Sequence, residues 1–143
     1  MICATMAVSA QVPADTTLKP GVVNSINAKQ FHQLITESTT DWAMKSGRPA
    51  VVDFNAVWCG PCRMLNPALE QLAKEYAGRV DFYSINVDFN KELSRQLGIR
   101  SIPYVLFCPT DGKPTPMVGI PSSDPDKILK DVRSRVEKLL NAK

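Results

Sequence analysis

In the stretch NAVWCGPCRM, Asn55 to Met64, two cysteines stand three positions apart, Cys59 and Cys62, between an apolar run and a helical pattern. Two thiols at that spacing can form half of a metal site, a structural staple or a redox centre. A structural zinc site takes four ligands, commonly two such pairs or one pair plus histidines. This chain has no second pair. Its other cysteines, Cys3 and Cys108, are scattered, and its one histidine, His32, falls on a predicted helix ahead of the central strand. No metal is expected, and His32 reads as a surface or half-buried helix residue.

As a redox centre the pair would work by thiol–disulfide exchange. Cys59 lies where a strand ends and a helix starts, and the unpaired N–H groups of a first helical turn favour a thiolate. Cys62 lies on the same side of that turn, close enough for a disulfide after modest adjustment. Gly60 is expected to allow a tight turn, and Pro61 restricts the backbone and removes a donor. Cys59, expected to be the more exposed thiol, attacks a substrate disulfide, and Cys62 then resolves the mixed disulfide. A buried Cys62 needs a proton acceptor, because burial raises a thiol's pKa. Asp53, inside the run AVVDF and six residues before Cys59, is the candidate. A carboxyl buried there has a raised pKa and can take and return a proton. The pattern alone equally allows a strand-end acid facing solvent.

These residues need elements to hold them. Val22, Val23 and Ile26 read as a short edge strand, and Asn27 caps a helix over Ala28 to Thr36. Ala50 to Phe54 reads as a buried central strand. Gly60 to Ala77 follows as a helix, with Met64, Leu65, Leu69, Leu72, Ala73 and Tyr76 inward, a kink at Pro67 and a stop at Gly78. Val80 to Asp88 is the next strand, and Asn90 caps a short helix closed by Gly98. Pro103 to Cys108 and Met117 to Gly119 form a terminal antiparallel hairpin around Thr110 to Lys113. Asp124 and Pro125 open the last helix, with a stripe of Ile128, Leu129, Val132, Val136, Leu139 and Leu140. The order β-α-β-α-β-α-β-β-α implies an α/β fold, with a mixed sheet and helices on both faces.

With 143 residues and 44% hydrophobic content, the chain suits one compact domain. The net charge of +3 comes from dispersed charges without a basic run, so nucleic acid is not an expected partner. No apolar stretch approaches the roughly 20 residues that span a bilayer. Residues 1–20 are read as a tail outside a single domain over residues 21–143. Val8-Ser9-Ala10 has the small-residue form of a cleavage site, but no basic residue precedes it. Two readings stay open: the remnant of an export signal, which implies a periplasmic or exported protein lacking Cys3, or a disordered tail on a cytoplasmic one. Cys108 reads as a buried strand cysteine.

The segment VVDFNAVWCGPCRMLNP resembles the active-site segment of the thioredoxin family, and the resemblance runs from Val22 to about Leu140. It implies the thioredoxin fold and a thiol–disulfide oxidoreductase that reduces protein disulfides. Cys59 then corresponds to the attacking cysteine, Cys62 to the resolving one, and the two to a redox-active disulfide. Asp53 corresponds to the family's buried acid, Trp58 to the aromatic flanking the site and Pro67 to the helix kink. GIRSIPYVLF resembles the second hallmark, in which Pro103 is cis and faces the cysteines. Ile102 and Pro103 would offer backbone to an extended substrate, as in strand addition, with Trp58 and Gly119 beside the groove. The resemblance implies no cofactor beyond the disulfide, and a monomer acting on disulfide-containing proteins. An upstream reductase or a membrane electron donor would supply its electrons. One rival reading is a redox-silent adaptor, against which the intact cysteine pair speaks; another is a periplasmic disulfide reductase or isomerase fed by a membrane electron carrier. Three departures stand out: Asn55 replaces a usual tryptophan, Tyr104 a smaller threonine, and Ser84 a lysine that often accompanies the buried acid. Loss of that cation should raise the Asp53 pKa further. The uncharged Gly60-Pro61 spacer adds nothing that stabilises the thiolate. A reducing couple is expected, nearer the reference value of thioredoxin itself, about −270 mV, than the roughly −180 mV of protein disulfide isomerase.

Overall fold

The computed structural model describes residues 18–141. Cys3 and the signal-like Val8-Ser9-Ala10 lie outside the described residues. Five strands, β1 (Val23–Ser25), β2 (Ala50–Asn55), β3 (Asp81–Asn86), β4 (Tyr104–Cys108) and β5 (Thr115–Val118), form one sheet in the order β1-β3-β2-β4-β5. β3 runs parallel to both β1 and β2, while β4 is antiparallel to β2 and β5 to β4. The expected mixed sheet is present, with β2 at its centre and β1 on an edge. Of the segment read as tail, residues 18–20 are described: Leu18 packs against the core and Lys19 exchanges hydrogen bonds with Asn24.

Side-chain alternation along β2 sorts the two faces. Val51 points to helices α2 (Gly60–Glu75) and α4 (Pro125–Asn141), where Leu65, Leu69, Leu72, Ile128 and Val132 form one core. Val52 and Phe54 point the other way, to α1 (Ala28–Leu34) and α3 (Lys91–Gln96), through Phe31, Ile35 and Leu93. Asp53 shares the parity of Val51, so its carboxyl lies beneath α2. Trp42 and Met44, in the polar connection after α1, pack back onto the second core as expected.

Local signals account for most boundaries. Asn27 forms a reciprocal capping box with Gln30. Asp124 accepts from the Asp126 amide at 2.9 Å, with Pro125 at the first helical position. Gly78 takes a left-handed φ of 81° just beyond α2. Helix α2 continues through Pro67, whose ring nitrogen has no hydrogen for the preceding turn.

Two expectations need correction. Asn90 occupies the N-cap position of α3, but its side chain makes no cap bond. Its amide nitrogen donates to the Asn86 carbonyl, and its oxygen accepts from Ala28 N at 2.8 Å, so it ties the start of α1 to the β3–α3 connection. Met64 does not face the core. It is 42% exposed, because Leu65 takes the inward position at this turn of the helix.

Leu72 is fully buried between the sheet and α4. Leu72→Ala should therefore cost about 2–5 kcal/mol of unfolding free energy, and Met64→Ala no more than about 0.5 kcal/mol. Urea denaturation of both variants checks this; equal costs would show that Met64 is packed in solution.

Candidate active site

Cys59 is the N-cap of α2, in extended backbone, and its Sγ accepts from the Cys62 amide at 3.2 Å. A sulfur thus does what an Asp or Ser oxygen does at other helix starts. The same amide would stabilise a thiolate in the reduced protein. The two cysteines are joined as a disulfide, with Cα atoms 5.3 Å apart. Ala56, Val87 and Ile102 pack around them. Both are nearly closed to solvent, Cys59 at 4% and Cys62 at 2%, so the difference in exposure expected between them is small in the disulfide form.

Gly60 departs from expectation. Its φ is not positive, and an added Cβ would meet nothing within 4 Å. The turn therefore does not require glycine; what glycine contributes is open space beside the disulfide. Pro61 sits in the first turn of α2, where its missing N–H leaves no bond unmade.

Asp53 is 1% exposed, which removes the solvent-facing alternative. Burial pushes its carboxyl up to about 7, while the Asn55 amide, which favours the charged form, pulls the other way. Asn55 Nδ2 lies 3.1 Å from Asp53 Oδ2 and 2.7 Å from Ser84 Oγ. Ser84 is opposite Asp53 in the β2–β3 ladder, and Ser25 is opposite Ser84 in the β1–β3 ladder. The register therefore lines up Ser25, Ser84 and Asp53 as a polar row across three strands under α2.

The Ile102–Pro103 peptide bond is cis. Ile102 packs on the cysteine cluster, and the Pro103 carbonyl accepts from Gly119 N at 2.8 Å. Gly119 takes a positive φ of 77°, a backbone state that favours glycine. Tyr104 pairs with Val118 across the β4–β5 ladder and meets the Phe54 ring edge-on, on the face away from Asp53. Trp58 is 67% exposed.

Three contacts escape the sequence reading. Trp58 Nε1 donates to Asp88 Oδ2 at 2.9 Å, and Asp88 sits in a 3-10 turn, Val87–Phe89, where a continuing strand was expected. The only sequence signal is the polar residue Asn86, which caps that turn by accepting from Asp88 N. Arg63 Nη1 donates to the Val57 carbonyl at 2.8 Å, bracing the cysteine loop from the helix side. Val87, at the start of that turn, packs against the cysteine cluster.

Cys108 is fully buried in β4, and burial alone pushes its thiol up to about 12, which leaves it a protonated core residue. His32 is half-buried, with Nδ1 3.0 Å from the Thr36 carbonyl. Among the described residues, no group of three or more His, Cys, Asp or Glu is placed to hold a metal ion.

Comparison with known proteins shows the family. A family model described as Thioredoxin matches residues 22–134. A thioredoxin of Borreliella burgdorferi is 44% identical over 92 residues, covering 64% of this chain and 79% of that protein. A chloroplastic M-type thioredoxin of Pisum sativum is 42% identical over 88 residues, covering 61% of this chain. The chain spans about half the length of the plant relatives it matches, 44–55%. Among solved structures, a chloroplastic thioredoxin z superposes with a TM-score of 0.62 at 31% identity, covering 80% of this chain and 94% of the other. With a family model that spans the sheet and the cysteine pair, and relatives above 40% identity, the chain belongs to the thioredoxin family of thiol–disulfide oxidoreductases.

Proposed function

We propose that the protein reduces disulfides in other proteins, with Cys59 as nucleophile, Cys62 as resolving thiol and Asp53 as the proton acceptor for Cys62. The observation that carries this reading is the disulfide at the start of α2, the helix that covers a fully buried carboxyl on β2. In the reduced protein the Cys59 sulfur, favoured as thiolate by the Cys62 amide, attacks a substrate disulfide. One substrate sulfur leaves with the bonding electrons, and a mixed disulfide forms. Cys62 gives its proton to Asp53 and bonds to the Cys59 sulfur, and the second substrate sulfur departs. The Ile102–Pro103 backbone and Gly119 receive the extended substrate chain beside Trp58. No cofactor enters these steps; an upstream electron donor regenerates the dithiol, and the protein acts as a monomer.

The direction follows from the spacer. Gly60 and Pro61 bring neither a charge nor a side-chain donor to the thiolate, so the reduced form gains no extra stabilisation and the couple is reducing.

Insulin reduction by dithiothreitol should be accelerated by the protein and not by Cys59→Ser; undiminished activity in that variant would remove Cys59 from the nucleophile's role. Cys62→Ser should accumulate a mixed disulfide visible by mass spectrometry. Equilibration against a glutathione buffer should give a potential near the family's reference value of about −270 mV, and one above about −180 mV would reverse the assigned direction.

Asp53 also links stability to pH. Folding raises its pKa from 3.8 to about 7. The stability that comes with an uncharged carboxyl is complete below about pH 4 and is lost as pH rises through 7. Asp53→Asn, which does not ionise, should therefore be more stable than the wild type at pH 8 by roughly 2–4 kcal/mol, the gain vanishing near pH 4. Its turnover should fall. Denaturant unfolding at the two pH values checks the sign.

A further inference from the structure

We propose that Asn55, anchored by Ser84, is a positioning residue for the resolving step: it holds the Asp53 carboxyl by Oδ2 and leaves Oδ1 to exchange the proton. The inference rests on the assignment of Asp53 as proton acceptor and concerns how that carboxyl is held.

Asn55 ends β2, two residues beyond Asp53 and on the same face of the sheet. Its amide group has two hydrogens. The near side-chain acceptors are Asp53 Oδ2 at 3.1 Å and Ser84 Oγ at 2.7 Å, and the Asp53 carbonyl, at 3.2 Å, shares them. The bond to Ser84 fixes the rotation of the amide, and the amide in turn fixes one edge of the carboxyl. The other edge differs. Asp53 Oδ1 is buried with no hydrogen-bond partner, and Asp53 lines a cleft of about 180 Å³ bounded by Ser25, Asn66, Leu69, Glu70 and Ser84. Such a volume accommodates water between polar walls. Cys62 is four residues before Asn66 on α2, one helical turn away on the same side, so the helix sets the resolving cysteine one turn from the cleft.

The surroundings leave Asn55 in control of the carboxyl. β1 and β3 bring the uncharged Ser25 and Ser84 to the cleft, and β4 sets the apolar Val105 opposite Asp53. α2 contributes Asn66, Leu69 and Glu70, the one other charged group lining the cleft, with Cys62 one turn before Asn66. An N–H directed at the carboxylate favours its charged form, the form that accepts a proton.

In the resolving step the Cys62 thiol proton moves to Asp53 Oδ1 as the Cys62 sulfur bonds to the Cys59 sulfur. The bond from Cys59 to the substrate sulfur breaks, and its electron pair leaves on the substrate, which is reduced as the cysteine pair is oxidised. Oδ1 then returns the proton to solvent through the cleft.

Stopped-flow mixing of the reduced full-length protein with an aromatic disulfide, whose thiolate is coloured, separates two releases. The first reports attack by Cys59 and the second reports resolution by Cys62. Measured across pH, Asn55→Leu should shift the midpoint of the second release upward by about one unit. Ser84→Ala should shift it less, in the same direction, and the first release should keep its profile in both. Unmoved midpoints in these variants, with the titration lost in Asp53→Asn, would overturn the positioning role and leave Asp53 as acceptor. An unchanged profile in Asp53→Asn itself would remove the acceptor assignment and this inference with it. Should Asn55→Leu fail to fold, Ser84→Ala decides.

Discussion

A carboxyl group buried on the central strand is the constraint around which this site is arranged. A charge taken out of water without a cationic partner costs several kcal/mol. The fold accommodates Asp53 by keeping its ionisation near neutrality, and its surroundings are built accordingly. Register sets Ser84 and Ser25 on the same rung of the sheet, so small neutral side chains take the places beside the carboxyl where larger apolar ones would strip away its last polar contacts. Above it, α2 presents Leu69 and Asn66. The carboxyl is therefore shielded on its sides and open only along a narrow cleft, the environment a proton acceptor needs if it is to ionise and reprotonate within one catalytic cycle.

The placement of α2 follows from that strand and generates the other half of the site. Because β2 ends at Asn55, the chain must turn across the sheet's edge before α2 can cover Asp53. Cys59 completes that turn as N-cap. Its sulfur satisfies one of the amides that any helix start leaves unpaired. The remaining contacts limit the loop's freedom from three directions. Arg63 holds the Val57 carbonyl, Asp88 holds the Trp58 indole, and Ile102 packs against the disulfide. The Pro103 carbonyl is tied to Gly119, which couples the loop before β4 to the end of β5, so the surface beside the disulfide is assembled from four separate segments.

What could be read from the sequence follows from the range of each interaction. Elements set by local chemistry were legible: the Asn27 and Asp124 caps, the central run with its single acid, the glycine after α2, and the pairing of Cys59 with Cys62. The expectations for Asn90 and Asp88 failed on contacts between distant segments, those for Met64 and Gly60 on local geometry. Asn90 has the right residue type for a cap, yet its side chain is taken by Asn86 and by the start of α1. Met64 fits an apolar helical period, but the adjoining Leu65 already faces the sheet. Asp88 carries no local mark of its bond to Trp58, since a polar residue after a strand is ordinarily a solvated turn. The row of Ser25, Ser84 and Asp53 was likewise invisible, because it exists only once the register of three strands is set.

The family resemblance presents Asn55 and Ser84 as two separate departures, and in the fold they are one contact. They stand 29 residues apart in the chain and 2.7 Å apart in space. Where the family pattern has a tryptophan and a lysine, this chain places an amide and a hydroxyl that bond each other. A lysine near a carboxylate acts mainly through its charge, at a range set by the local dielectric. An amide acts through a directed N–H, and it can do so only if something fixes its orientation. Ser84 is that something, and so the two replacements are physically coupled. The serine left in place of a cation would by itself give the carboxyl no support, since Ser84 bonds the Asn55 amide, and the amide is what reaches Asp53. If Asn55 has the positioning role proposed for it, the buried acid is governed here by a geometry, where a lysine would act by its charge.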